Sequence, residues 1–516
     1  MKLLTAAILL TAAPGFAQTR AGATCESLSS FSQPHVAVTL AQTVAAGQFT
    51  APTPRGGRGG ANPYAALPAF CRVAVTLTPS SDSDIKIEIW LPLSLPSVAR
   101  GASGGWNGKL EAVGNGGWAG TISYPAMATA LAAGYGTVST DTGHTGGNAN
   151  FIVGHPEKLV DFEERAVHEM TVTAKAVAAA YYGSAPQKSY FNGCSTGGRQ
   201  ALTAVQRYPL DYDAIVAGAP ANFAKRQTFG QVWLWQATHR DDASLLTPEK
   251  YAVLHKAAIA QCDAIDGVTD GVLENPTKCR FDPSVTLCKS ASPSTGSGPA
   301  DCLTAAQVEA ARKIYAGASH AKTHELLYPG LQPGSENGWN MSVAARPVGY
   351  AEDFFKYVVF KDENWNPKAL NYDVDVVTTD RTPTGLNAVD ANLNRFVEHG
   401  GKLLIYHGWS DPGIPPYNSV NYYQAVQKTT KHASDAVRLF MVPGMGHCGG
   451  GDGTSTFDMV AAVDAWVTTN KAPAAIPAAK MADGKAVRTR PLCPYPAVAT
   501  YKGTGSTDDA ANFTCR

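Results

Sequence analysis

Hydrophobic positions along this chain follow two rhythms. Phe70–Leu77 and Ile85–Leu91 read as strands, the second alternating apolar and polar side chains with period two. Residues 108–114 are also strand-like and run into a glycine-rich turn, and 136–140 form another short apolar run. Between these lie helical stretches: Tyr124–Ala133, and a long one over Asp161–Tyr182 in which Phe162, Ala166, Met170 and Ala174 recur at three-to-four spacing. Short strands alternating with helices predict an α/β fold with a mostly parallel sheet. The rhythm breaks near Ala221 and resumes near Ala388, with strand-like runs at 401–407 and 437–442. Residues 222–388 therefore read as an inserted domain, between a first part of the core at 18–221 and a second at 389–516.

The 516 residues hold 42 Lys+Arg against 42 Asp+Glu, a balance that argues against a nucleic-acid or anionic-membrane binder. With 44% hydrophobic and 16% charged residues, the chain has ample material for large cores and lacks the composition of a disordered protein. Lys2, an apolar run over Leu3–Ala13 and small residues up to Ala17 predict a cleaved signal peptide over residues 1–17. No later apolar run reaches the roughly 18 residues that span a bilayer. A secreted or periplasmic destination follows, where the ten cysteines would persist as disulfides. Residues 51–63, rich in Gly and Pro, read as a surface loop.

Two pentamers fit G-x-S-x-G: 101–105, around Ser103, and Gly193-Cys194-Ser195-Thr196-Gly197. Only the second follows a strand-like run (Ser189–Asn192) and opens a helix (Gly198–Val205), as a nucleophile elbow requires. The following helix N-terminus favours negative charge, and the Thr196 N–H is placed to donate to an oxyanion. In an α/β hydrolase the triad runs Ser, acid, His along the chain, each residue just past a strand. His447 lies in a glycine-rich loop after 437–442, and Asp411 follows 401–407 in Ser410-Asp411-Pro412, although Asp435 and Asp452 are nearer to His447 in sequence. Cys194 precedes the candidate nucleophile and Cys448 follows the candidate base. If Ser195 and His447 meet, these two cysteines come within bridging distance.

These segments resemble the tannase/feruloyl esterase family of α/β hydrolases. The likeness rests on Gly-Cys-Ser-Thr-Gly-Gly-Arg at 193–199, Ser-Asp-Pro at 410–412 and Gly-His-Cys at 446–448, with further matches at 114–120 and 141–144. It implies a Ser195–His447–Asp411 triad bridged by Cys194–Cys448 and a lid domain over the active site. It places a second oxyanion donor at Gly116 or Gly117 and makes His144 a structural neighbour of the site. It also implies the pairs 25–71, 262–279, 288–302 and 493–515, which spacing alone does not fix. Implied substrates are esters of aromatic acids: feruloyl-polysaccharide esters, gallate esters, or mono(2-hydroxyethyl) terephthalate.

Asp263, Asp266 and Asp270 are concentrated in a loop with Gly267 and Gly271, hard-oxygen chemistry that suits Ca²⁺. The spacing is not that of an EF-hand. It resembles the family's lid calcium loop, in which the three carboxylates and the backbone oxygens of Val268 and Val272 would bind a structural ion. An ordinary Asx-turn loop is the alternative. No organic cofactor is expected. In the insertion, Trp339, Phe355 and Phe360 are candidates to stack on an aromatic acid. Lys356 and Arg346 are the candidate cations for a free carboxylate. The reading is a secreted serine esterase of the feruloyl type, with tannase or terephthalate-monoester hydrolase as alternatives. A non-catalytic carbohydrate-binding protein on the same scaffold is the alternative of another class. No nucleic-acid or membrane partner is expected, and oligomeric state is not legible.

Overall fold

The computed structural model describes residues 22–52, 62–93, 105–289, 300–343 and 345–516. The expected signal peptide, Ser103 and the 290–299 tract lie outside the described residues. Among the described residues eight strands precede residue 220: β1 (Ser32–Gln33), β2 (Val36–Val44), β3 (Phe70–Leu77), β4 (Ile85–Pro92), β5 (Lys109–Val113), β6 (Gly136–Thr140), β7 (Lys188–Cys194) and β8 (Ala214–Gly218). A short pair follows, β9 (Ala318–Ser319) and β10 (Leu326–Tyr328), then β11 (Lys402–Gly408) and β12 (Val437–Val442). The chain ends in a hairpin, β13 (Ile476–Ala482) and β14 (Lys485–Leu492), and a small pair, β15 (Ala499–Tyr501) and β16 (Phe513–Cys515).

Ten strands make one sheet in the order β1-β2-β3-β4-β6-β5-β7-β8-β11-β12. Pairing is antiparallel from β1 to β6 and parallel from β6 through β12. Every residue of β6 and β8 is buried, the signature of parallel strands covered on both faces. Each buried Val, Ile or Leu there contributes about 1.5–3 kcal/mol. This is the α/β-hydrolase architecture expected from the alternating pattern.

The helices that matter for the site are α1 (Tyr124–Ala132), α2 (Pro156–Val160), α3 (Ala166–Tyr182), α4 (Thr196–Arg207), α5 (Ala224–His239) and α6 (Pro248–Cys262). The long helix expected over 161–182 forms as a π-turn, Asp161–Arg165, leading into α3. Buried Arg199 on α4 fastens that turn by donating to the Phe162 and Glu163 carbonyls. Between β8 and β11 the described residues add no strand to the large sheet. They build an apolar cluster of their own around Tyr251, Ile314 and Trp339, and a second around Phe229, Phe354 and Phe355 that they share with Trp118, Ala149 and Phe162.

All five disulfides are present: 25–71, 194–448, 262–279, 288–302 and 493–515, the pairs implied by the resemblance. Among the described residues no helix is long and apolar enough to cross a membrane.

Candidate active site

The parallel strands deliver their loops to one edge of the sheet. β7 runs into α4 through Ser195, whose backbone stands at φ 64°, ψ −121°. Such a conformation costs a non-glycine residue on the order of 1–3 kcal/mol and needs fixed surroundings. Here the Ser195 N–H donates to the Gly218 carbonyl (3.0 Å), and its own carbonyl accepts from Ala221 and Arg199 (3.0 Å each). The elbow also needs glycine at 193, since a Cβ there would lie 2.7 Å from the Gly197 carbonyl.

The acid and base come from the next two loops. The N–H groups of Trp409 and Ser410 donate to the carbonyls of Val442 and Met445, which laces the loop after β11 to the loop after β12. His447 Nδ1 lies 2.7 Å from Asp411 Oδ2, and Nε2 lies 2.9 Å from Ser195 Oγ. A carboxylate only accepts, so Nδ1 carries the proton and Nε2 is left to accept from the serine hydroxyl. Cys194 and Cys448 are bonded, tying the strand before the serine to the residue after the histidine.

Asp411 is fully buried, and burial alone would push its carboxyl up. The charges and N–H donors of His447 and His407 outweigh that and hold it well below the usual carboxylate range. Its Oδ1 accepts from the Gly413 and Ile414 amides at 2.8 and 2.9 Å. Burial likewise works against the His447 imidazolium, but the Asp411 charge and hydrogen bond leave its pKa raised.

The Gly116–Gly117 turn sits beside α4. Gly117 has φ +53°, and a Cβ built at either glycine meets nothing within 4 Å, so this face of the turn is open. The turn is clamped from behind. Thr196 Oγ1 donates to the Gly117 carbonyl (2.9 Å), and Asn115 exchanges two hydrogen bonds with Gln200. His144 Nε2, facing the Trp118 carbonyl at 2.8 Å, must be the donor there. Burial lowers the His144 pKa, which suits a neutral structural partner.

The candidate substrate contacts fare differently. Trp339 is 0% exposed, packs against Tyr251 and Tyr315, and gives its indole N–H to Ser335. Phe355 is also 0% exposed, among Phe229, Phe354, Phe360 and Trp365. Both are core residues: Trp339 fills the insertion's own cluster, and Phe355 the cluster by which the insertion packs on Trp118 and Phe162. Phe360 is partly buried and stacks on Phe355 and Trp365. Lys356 is paired with Glu352 (2.7 Å), so it is not a free cation, and Arg346 is exposed. The insertion instead meets the acid loop by other residues: Ser410 Oγ donates to Gly334, Ser342 Oγ to Pro412, and Gln231 Nε2 to Gly413. Met341, 46% exposed, lies against Gly413. None of these, nor His407, carried a sequence signal beyond proximity to the motifs.

In the acidic loop, Asp266 Oδ1 and Asp270 Oδ1 cap the Val268 and Val272 amides, and Asp263 Oδ2 accepts from Gly271. Asp263 Oδ1 is buried with no hydrogen-bond partner. Burial raises the Asp266 pKa, with the charges of Asp270 and Asp263 adding to it. A void of about 20 Å³, room for one water-sized body, is bounded by Asp266, Val268, Asp270 and Val272. Arg490 and Arg488 also reach it and pair with Asp270 Oδ2 at 2.6 and 3.4 Å. Among the described residues no three His, Cys, Asp or Glu side chains stand as an assembled metal cluster.

Comparison with known proteins identifies the family. The family model described as "Tannase and feruloyl esterase" matches residues 71–516. An uncharacterized esterase of Xanthomonas campestris pv. campestris is 38% identical, over 96% of this chain and 91% of that protein. A probable feruloyl esterase B-2 of Aspergillus terreus is 34% identical, over 86% of each. The crystal structure of feruloyl esterase B from Aspergillus oryzae superposes with a TM-score of 0.86 at 31% identity, covering 95% of this chain and 99% of that one. With a parallel sheet that brings a serine, a histidine and an aspartate into one hydrogen-bonded chain, and relatives that match over nearly its whole length, this chain belongs to the tannase and feruloyl esterase family of carboxylic ester hydrolases.

Proposed function

We propose that this protein is a secreted serine esterase that hydrolyses esters of aromatic, hydroxycinnamate-type acids through an acyl-enzyme. The observation that carries the proposal is the continuous chain Ser195 Oγ–His447–Asp411, with 2.9 and 2.7 Å links. Ser195 Oγ attacks the ester carbonyl carbon while His447 Nε2 takes its proton. The amides of Thr196 and of Gly116 or Gly117 donate to the oxyanion, and Asp411 stabilises the imidazolium. His447 then protonates the departing alcohol. Water, deprotonated by the same nitrogen, attacks the acyl carbon; the bond to Ser195 Oγ breaks, His447 returns the proton to that oxygen, and the acid leaves.

Five disulfides support an oxidising, extracytoplasmic destination. Residues 222–388 serve as the lid, supported by their own apolar cluster around Trp339 and their contacts with the acid loop. The donor chemistry of the acidic loop fits a Ca²⁺ ion: the carboxylates of Asp266 and Asp270 line a small void, and Asp263 in the same loop has a buried unpartnered oxygen. Asp263, Asp266, Asp270 and the carbonyls of Val268 and Val272 would hold it. Its contribution there is structural, bracing the segment clipped by Cys262–Cys279.

Relatives named as feruloyl esterases support hydroxycinnamate esters over gallate or terephthalate monoesters. The test compares kcat/KM for methyl ferulate, methyl gallate, chlorogenate and mono(2-hydroxyethyl) terephthalate, in wild type and Ser195→Ala. Methyl ferulate or chlorogenate should lead, and Ser195→Ala should lose at least about 10⁴-fold. Equal turnover in Ser195→Ala sinks the mechanism. A clear preference for gallate or terephthalate sinks the substrate reading alone.

A further inference from the structure

A second imidazole stands beside the triad. His407, on β11, is 0% exposed, and its Nε2 lies 3.2 Å from Asp411 Oδ2, the same oxygen that accepts from His447 Nδ1. Nε2 also lies 2.9 Å from the Ile414 carbonyl, which can only accept, so Nε2 carries a proton. Nδ1 is 2.7 Å from the Ser419 hydroxyl, on the helix Tyr417–Thr429, a group free to complete that tautomer by donating. The loop from Ser410 to Pro416 is thus wound around one ring, which touches its acid, one of its carbonyls and the helix that follows.

We propose that His407 is a positioning residue for the triad: its Nε2–H, hydrogen-bonded to the Ile414 carbonyl, stands 3.2 Å from Asp411 Oδ2 and adds its positive end to the hydrogen bond from His447, fixing that oxygen in direction and drawing off part of its charge. The inference rests on the serine-esterase reading above and adds to it a residue that does not touch the reacting atoms. Four N–H groups surround Asp411: those of Gly413 and Ile414 donate to Oδ1, that of His447 donates to Oδ2, and that of His407, whose hydrogen bond goes to the Ile414 carbonyl, stands 3.2 Å from Oδ2. Three of these come from the loop itself or from the base, and a loop that shifts carries its own amides along. Only His407 ties the carboxylate to the rigid sheet. The ionisable groups facing the pair are His447 and the buried phenol of Tyr328, on β10.

Two amides separate this role from packing. Gln at 407 places its amide nitrogen near the position of Nε2, and Asn places it near that of Nδ1, out of reach of Asp411. His407→Asn should lower kcat about 10²-fold with KM nearly unchanged, the scale expected for a misplaced catalytic group. Its acid limb of kcat/KM should move to higher pH, because an Asp411 charge no longer shared with a second donor favours the His447 imidazolium more. His407→Gln should restore most of kcat and the wild-type limb. Ser419→Ala, which keeps the ring but frees its far side, should shift the limb in the same direction by less. Rates are taken per Ser195 titrated with a phosphonate ester, so partial unfolding does not count as lost catalysis. An unmoved limb in both His407→Asn and Ser419→Ala, or Gln no better than Asn, overturns the proposal. Should neither 407 variant fold, an unmoved limb in Ser419→Ala overturns it. Ser195→Ala runs in parallel: if it stays active the underlying reading fails, whereas if it is dead while the 407 variants behave as wild type, only His407 is misassigned.

Discussion

Ser195 holds a backbone conformation that a serine adopts only when its neighbours insist, and three backbone hydrogen bonds do so. At this scale the pH dependence is set by two opposing effects on His447, burial that lowers its pKa and Asp411 that raises it, with Asp411 prevailing. In the proposed mechanism the imidazole must be neutral to take the Ser195 proton, so activity should fall as pH drops through a value above the ordinary range near 6.5. Asp411→Asn removes the raising influence and leaves the burial, so the acid limb should move to lower pH while kcat falls about 10⁴-fold. A kcat/KM profile of the variant against wild type checks this; a limb that stays or moves up contradicts it. Ser195, Asp411 and His447 could be read from sequence because each sits in a short motif just past a strand. His407 could not, because an imidazole in an apolar strand looks the same whether it packs or holds a carboxylate.

Among elements, the elbow between β7 and α4 and the loop after β12 are joined covalently across 254 residues of sequence. In the chain-entropy model such a closure stabilises the fold by about 5 kcal/mol. The double variant Cys194→Ser/Cys448→Ser should keep most of its circular-dichroism signal, melt several degrees lower, and lose most of its activity because the serine and histidine loops drift apart. Full activity would show that the lacing of the acid and base loops suffices by itself. Strands with clean alternation or clear flanking turns, such as β4 and β7, were legible beforehand. β8, five buried apolar residues, was not singled out, because so short a run does not tell strand from helix. The π-turn before α3 also leaves no mark on periodicity, since the apolar face continues through it.

For the whole molecule, the acidic loop is where composition and assembly meet. If Ca²⁺ occupies it, chelation by EDTA should lower Tm by several degrees and added Ca²⁺ should restore it more effectively than Mg²⁺, which holds its water more tightly. Asp266→Ala should abolish the difference. A Tm indifferent to chelator and metal would leave an Asx-turn loop paired with Arg488 and Arg490. The aromatics of the insertion teach the converse lesson. Trp339 and Phe355 have the composition of a ring-stacking site, yet an inserted unit must first fill its own core, and burial claimed them. The sequence by itself determined the fold class, the strand–turn–helix around Ser195 and the chain order of Ser195, Asp411 and His447, because backbone strain, hydrophobic period and short glycine-rich turns are local and leave local marks. Only the tertiary structure decided that Asp411, and neither Asp435 nor Asp452, meets His447, that the cysteines close the pairs they do, which aromatics are core, and that a buried histidine stands 3.2 Å from the aspartate. Those are contacts between residues far apart in the chain, fixed by how strands order in the sheet rather than by any one segment.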